Sequence, residues 1–211
     1  MLKYKPILFS TEMVQAILDG RKTVTRRIIK SQPGNAFDCS GHEFKYDGTG
    51  FICSHCGYGV SPPHSKYAVG SSFIRPPYKV GDILYVRETW QCFNPYSDKE
   101  YVYKATNDCS DVTNMKWLPS IHMPKEAARI FLKVTDVRVE RLQYITEMQV
   151  RKEGFRDYLA ADDIFYPCGY YFRQTWDSTI NKQDLDKYGW EANPWVWVIE
   201  FEMCEKPEDE K

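Results

Sequence analysis

Residues 20 to 27 read Gly-Arg-Lys-Thr-Val-Thr-Arg-Arg, a G-x-K-x-x-T-x-R run. Lys22, Thr25 and Arg27 bring an ammonium, a hydroxyl and a guanidinium close together, a set that suits an anionic or polar ligand better than a core. The plain alternative is a solvated helix end followed by an edge strand. Glu88 is the second candidate. It alternates with Leu84 and Val86, so its carboxylate shares their apolar face, where it is costly unless paired or hydrogen-bonded. An ion pair with an arginine would satisfy it, and a partly desolvated acid would suit proton transfer. Cys39-Ser-Gly-His42 and Cys53-Ser-His-Cys56 form a C-x2-H…x10…C-x2-C pattern. Cys39, His42, Cys53 and Cys56 would fill the tetrahedral shell of a structural zinc. His55 and His64 are competing ligands, and a loop with incidental cysteines is the plain reading.

The elements that position these groups follow from local pattern. Ser10 or Thr11 caps a helix start, and Met13, Val14, Ile17 and Leu18 form its apolar stripe. Gly20 supplies the left-handed stop. Thr23 to Ile29 is rich in β-branched residues and favours a strand, with Thr23, Thr25 and Arg27 on one face. Ile83 to Glu88 is a second strand after the Gly81-Asp82 turn. Ile130, Leu132 and Val134 alternate, while Val137 and Val139 resume out of phase, which predicts a bulge near Thr135-Asp136. Thr146-Glu-Met-Gln149 is a capping box opening a helix that stops at Gly154. Further elements are a helix over Tyr171 to Asn181 and a central strand over Trp195 to Glu202. Residues 205 to 211 read as a charged, frayed tail.

Composition bounds the function. The 211 residues carry 28 basic and 29 acidic side chains, a formal net charge of −1. A global basic field for nucleic acid is therefore absent, and any such contact must be local. No apolar run approaches the roughly 20 residues of a membrane span, and no signal peptide is visible. The expectation is a cytoplasmic protein whose seven cysteines are free thiols or metal ligands.

Lys5-Pro-Ile-Leu-Phe-Ser-Thr-Glu-Met-Val and the Gly20 run together resemble the start of an ASCH-domain protein of the phage and prophage type. Further matching blocks are Gly81-Asp-Ile-Leu-Tyr-Val-Arg-Glu-Thr-Trp90, Pro119-Ser-Ile-His-Met-Pro124 leading into Ala128-Arg-Ile, Trp176-Asp-Ser-Thr-Ile-Asn181, and Asn193-Pro-Trp-Val-Trp-Val-Ile-Glu-Phe201. The resemblance implies an α+β fold: a PUA-like small mixed β-barrel with flanking helices. One domain would span residues 1–204, with an insertion at 33–78 holding the zinc-knuckle-like pattern. It also implies that Lys22, Thr25 and Glu88 form a catalytic set hydrolysing the acyl amide of N4-acetylcytidine. Thr25, or a water in its place, would be the nucleophile. Lys22 would be its base or would stabilise the oxyanion, and Glu88 would pass the proton to the leaving amine.

Arg27 would bind a carbonyl or phosphate oxygen, or form a structural ion pair. His122 lies on a loop between prolines and either meets the ligand or locks the loop. Tyr85, Trp90 and Trp117 offer stacking faces, although aromatics make up 15% of the chain and most must be core. Two functions stand: an amidohydrolase on a modified nucleoside or base without an organic cofactor, and an RNA-binding module using the same cleft without turnover.

Overall fold

The structure is a computed structural model that describes residues 4–30, 32, 44–46, 51–53, 59–60, 76–93, 99–106, 116–160 and 164–206. It is a mixed α+β protein built on an eight-stranded sheet. Strand β1 (Tyr4–Leu8) leads into helix α1 (Thr11–Leu18), and β2 (Val24–Ile28) follows. Short strands β3 (Phe44–Tyr46), β4 (Phe51–Cys53) and β5 (Gly59–Val60) come next, then β6 (Ile83–Arg87). β7 (Trp90–Phe93) and β8 (Glu100–Tyr103) form a separate hairpin. The long β9 (Phe131–Arg141) precedes α2 (Glu147–Lys152), the small pair β10 (Tyr158–Leu159) and β11 (Phe165–Tyr166), α3 (Cys168–Ser178), α4 (Leu185–Tyr188) and β12 (Trp195–Cys204).

β9 and β12 are the spine. They pair antiparallel from Trp195↔Arg141 to Cys204↔Phe131. β12 pairs β2 on its other side, as its run of buried Trp195 to Ile199 requires of a central strand. β9 carries β6 at one end and β3 at the other, and β1 runs parallel to β6. Strands β3 to β5, within the segment expected as an insertion, thus belong to the main sheet. Among the described residues no ladder joins β1 to β2, so the sheet is not a closed barrel, and the barrel expected from sequence is not seen. One side chain spans that seam: Arg27 Nη2 donates to the Leu8 carbonyl at 2.7 Å.

The register of the spine slips between Glu200 and Phe201, which face Asp136 and Val134. Thr135 is thus the extra residue, and the bulge lets Val134 and Val137 both reach the core. One core cluster gathers Ile7, Leu84, Leu132, Val137, Ile199 and Phe201 among others. A second packs Val24, Val196 and Val198 of the sheet against Leu142, Val150, Phe172 and Trp176, which docks α2 and α3 over β2.

Candidate functional site

The segment after α1 is shaped by its end. Ser10 caps the helix by accepting from the Met13 amide. Gly20 has φ +71°, and the Arg21 and Lys22 amides both fold back on the Ala16 carbonyl at 2.9 Å. This turn aims Lys22 inward. The second contributor is α2, opened by the reciprocal Thr146–Gln149 capping box and closed at Glu153. Gly154 then turns with φ +98°. A Cβ there would lie 2.8 Å from Ala16 Cβ and 3.3 Å from Lys22 Cβ, so only glycine lets the two segments approach. Lys22 and Glu153 meet as an isolated β-bridge.

Their side chains meet as well. Lys22 Nζ donates to Glu153 Oε2 at 2.7 Å, to the Val24 carbonyl at 2.8 Å and to the Glu153 carbonyl at 2.9 Å. All three of its protons are placed. The two side chains are only 2% and 5% exposed. Burial pushes the Lys22 ammonium below the usual lysine range, against the pull of the Glu153 carboxylate; the Arg27 and Arg26 guanidiniums push it the same way. Phe9 completes the wall. Its ring centroid is 5.4 Å from Lys22 Nζ and 5.3 Å from the Arg27 guanidinium carbon.

These groups border a cavity of about 360 Å³, within the range of small-molecule sites. It lies between the β1–α1 corner (Phe9, Ser10, Glu12, Met13), Thr25, Arg26 and Arg27 of β2, Glu153 and Phe155, and Phe172, Thr175, Trp176, Ser178 and Thr179 around the end of α3. Thr25 is 4% exposed and its hydroxyl has no hydrogen bond to another described residue. The cavity thus carries on its wall a hydroxyl together with a buried amine–carboxylate pair, the group types that nucleophilic attack with proton transfer requires.

The sequence candidates separate in space. Lys22, Thr25 and Arg27 line this cavity; Glu88 does not. The Glu88 carboxylate, 1% exposed, takes a two-pronged contact from Arg129, Nε to Oε1 at 2.9 Å and Nη2 to Oε2 at 3.0 Å. Arg129 also lies 4.0 Å over the Tyr103 ring and donates to Thr106 Oγ1. This pins the β7–β8 hairpin beside β6. Trp90 is buried with Met123, Ala127 and Phe131, and Tyr85 packs against the same cluster. His122 is exposed in a one-turn helix, Ser120–His122, and Trp117 is half-buried; neither borders the cavity.

Cys39, His42 and Cys56 lie outside the described residues, as do His55 and His64; Cys53 ends β4, with its side chain outside them. Among the described residues no group of metal-ligating side chains occurs, and Cys92, Cys168 and Cys204 are free thiols. No helix among them is long and apolar enough to cross a membrane.

Sequence reasoning missed Glu153. The capping box and Gly154 placed it at a helix end, but its partner lies 131 residues earlier. Comparison with known families, with curated proteins and with solved structures finds no match.

Proposed function

We propose that this chain is an amidohydrolase of the ASCH kind that removes the acyl group from an N4-acylated cytosine or cytidine. The observation that carries the reading is the buried Lys22–Glu153 pair on the wall that also holds Thr25, whose hydroxyl has no hydrogen bond to another described residue. A buried ion pair is poor evidence for stability, since well-packed apolar residues often replace one at no loss. At a cavity wall it is better explained by function.

Lys22, once it has lost one of the three protons that its hydrogen bonds hold, takes the proton of Thr25 as Oγ1 attacks the acyl carbon. The resulting ammonium gives that proton to the cytosine nitrogen as the C–N bond breaks. Water then cleaves the threonyl ester, releasing the carboxylic acid and restoring the hydroxyl. Glu153 holds Lys22 in line, and Arg27 stabilises the oxyanion. A PUA-like fold belongs to the same proposal, with the β1–β2 seam bridged by the Arg27 side chain in place of a strand ladder.

The test is chromatographic turnover of N4-acetylcytidine by wild type, Glu153→Gln and Glu88→Gln. Wild type should deacylate, and Glu153→Gln should lose about 10²–10⁴-fold in kcat/KM. The rate should rise with pH along a limb set by Lys22, below the ordinary lysine range. Absence of turnover by folded wild-type protein would sink the reading. Salt-sensitive binding of a single-stranded RNA would then favour a module that holds a nucleotide without cleaving it.

A further inference from the structure

The charge cluster behind Lys22 extends further than amide hydrolysis needs. Glu153 divides its carboxylate, with Oε2 on Lys22 at 2.7 Å and Oε1 on Arg26 Nη1 at 3.2 Å. Arg26 Nη2 reaches Glu140 Oε2 at 3.1 Å, and Glu140 Oε1 accepts from Arg138 Nε at 2.6 Å. Arg138 Nη1 contacts Asp136 at 2.9 Å and Glu200 at 2.5 Å. Exposure of the side chains rises along this path, from 1% at Arg26 and 7% at Glu140 to 36% at Asp136 and 32% at Glu200. Alternating charges thus run from the cavity wall, through β2 and β9, to the water-facing rim of the sheet. Arg26 Nε is buried with no hydrogen-bond partner among the described residues, so the fork of this guanidinium is committed to its two carboxylates.

We infer that Arg26 is a positioning residue: anchored by Glu140 and Arg138, it draws half of the Glu153 carboxylate away from Lys22 and so keeps that lysine able to act as a base. The inference rests on the proposed role of Lys22. Two effects have the same sign. The divided carboxylate holds the ammonium less strongly than an undivided one, and the guanidinium repels it directly. The other charged group acting on Lys22 is Arg27 on β2, and Glu12 of α1 lines the same cavity. Among the described residues the ion pairs of Glu140 and Arg138 involve neither of these, so the relay can be varied without touching them.

The test follows the Lys22 side chain by NMR, through its ε-carbon shift against pH, with the signal assigned by its loss in Lys22→Met. Arg26→Met alone leaves two buried carboxylates short of a partner and risks unfolding, so the variant is Arg26→Met with Glu140→Gln, which removes one charge of each sign. In it Lys22 should titrate higher by about one unit or more. In Glu140→Gln alone Arg26 is free to turn wholly to Glu153, and Lys22 should titrate lower. An unchanged or lower titration in the double variant overturns the inference, as does an unchanged or higher one in Glu140→Gln. Should either variant fail to fold, the other decides. The limb of kcat/KM should move with Lys22. If the lysine shifts as stated while wild type turns over no N4-acylcytidine, the relay stands and the hydrolase reading falls.

Discussion

At the scale of single residues, two buried glutamates differ in their partners: sequence reasoning weighed Glu88 as either an arginine-paired acid or a proton-transfer group, and passed over Glu153. Glu88 is as buried as an acid can be, but Arg129 takes both its oxygens. Burial with a complete partner describes a strut. Glu153 is also buried, but it is shared between Lys22 and Arg26 at a cavity wall, the arrangement that the proposed hydrolysis uses. The two fates give opposite mutant signatures. Glu88→Gln turns a charge-assisted pair into a neutral one and should cost about 1–3 kcal/mol in chemical denaturation, with kcat/KM left at its wild-type value. A Glu88→Gln protein of full stability and no turnover would restore the original assignment. From one sequence the acids looked alike, because alternation reports which face a residue is on and not which partner it meets across the fold.

At the scale of elements, periodicity carried far. The helix after Ser10, the strand ending at Arg87, the capping box at Thr146 and the bulge at Thr135 were all legible, each being a local rule obeyed locally. Helix α3 begins at Cys168, three residues before the expected Tyr171. Gly169 obscured its start, although Pro167 just before is a familiar entry signal. The approach of the α2 end to Lys22 was not legible, because it depends on how two distant segments pack. Gly154 is the residue that permits it. Gly154→Ala combines an unfavourable φ with a 2.8 Å clash on Ala16, and should cost about 1–3 kcal/mol. Because the next atom met is Lys22 Cβ at 3.3 Å, kcat should fall more than the lost stability explains. Calorimetry beside turnover separates the two effects.

At the scale of the whole molecule, the segment expected from sequence to be an insertion contributes three described strands, β3 to β5, to the main sheet. β3 pairs β9 at Val139 and Arg138, one strand away from β12. The proposed zinc set of Cys39, His42, Cys53 and Cys56 brackets β3 and β4 in sequence. Metal held there would therefore report on the stability of the main fold. Purified protein should contain one zinc per chain by elemental analysis, and Cys53→Ala with Cys56→Ala should lose it and lower the Tm. Metal-free protein with an unchanged melting curve would count against the knuckle. The fold class followed from the mixture of periods. The open seam between β1 and β2 did not, because closure is decided by pairing between strands whose patterns look the same either way.

Phe9 sits beside both cations of the site, about equally far from Lys22 and Arg27. The negative face of its ring favours the charged form of each. The ring is thus an electronic ballast whose strength chemistry can grade. Each fluorine added to it withdraws density and weakens its hold on an ammonium more than on the always-charged guanidinium. A series of fluorinated phenylalanines at this one position would act as a dial on the lysine, changing its basicity in steps while leaving every donor and acceptor of the cavity in place.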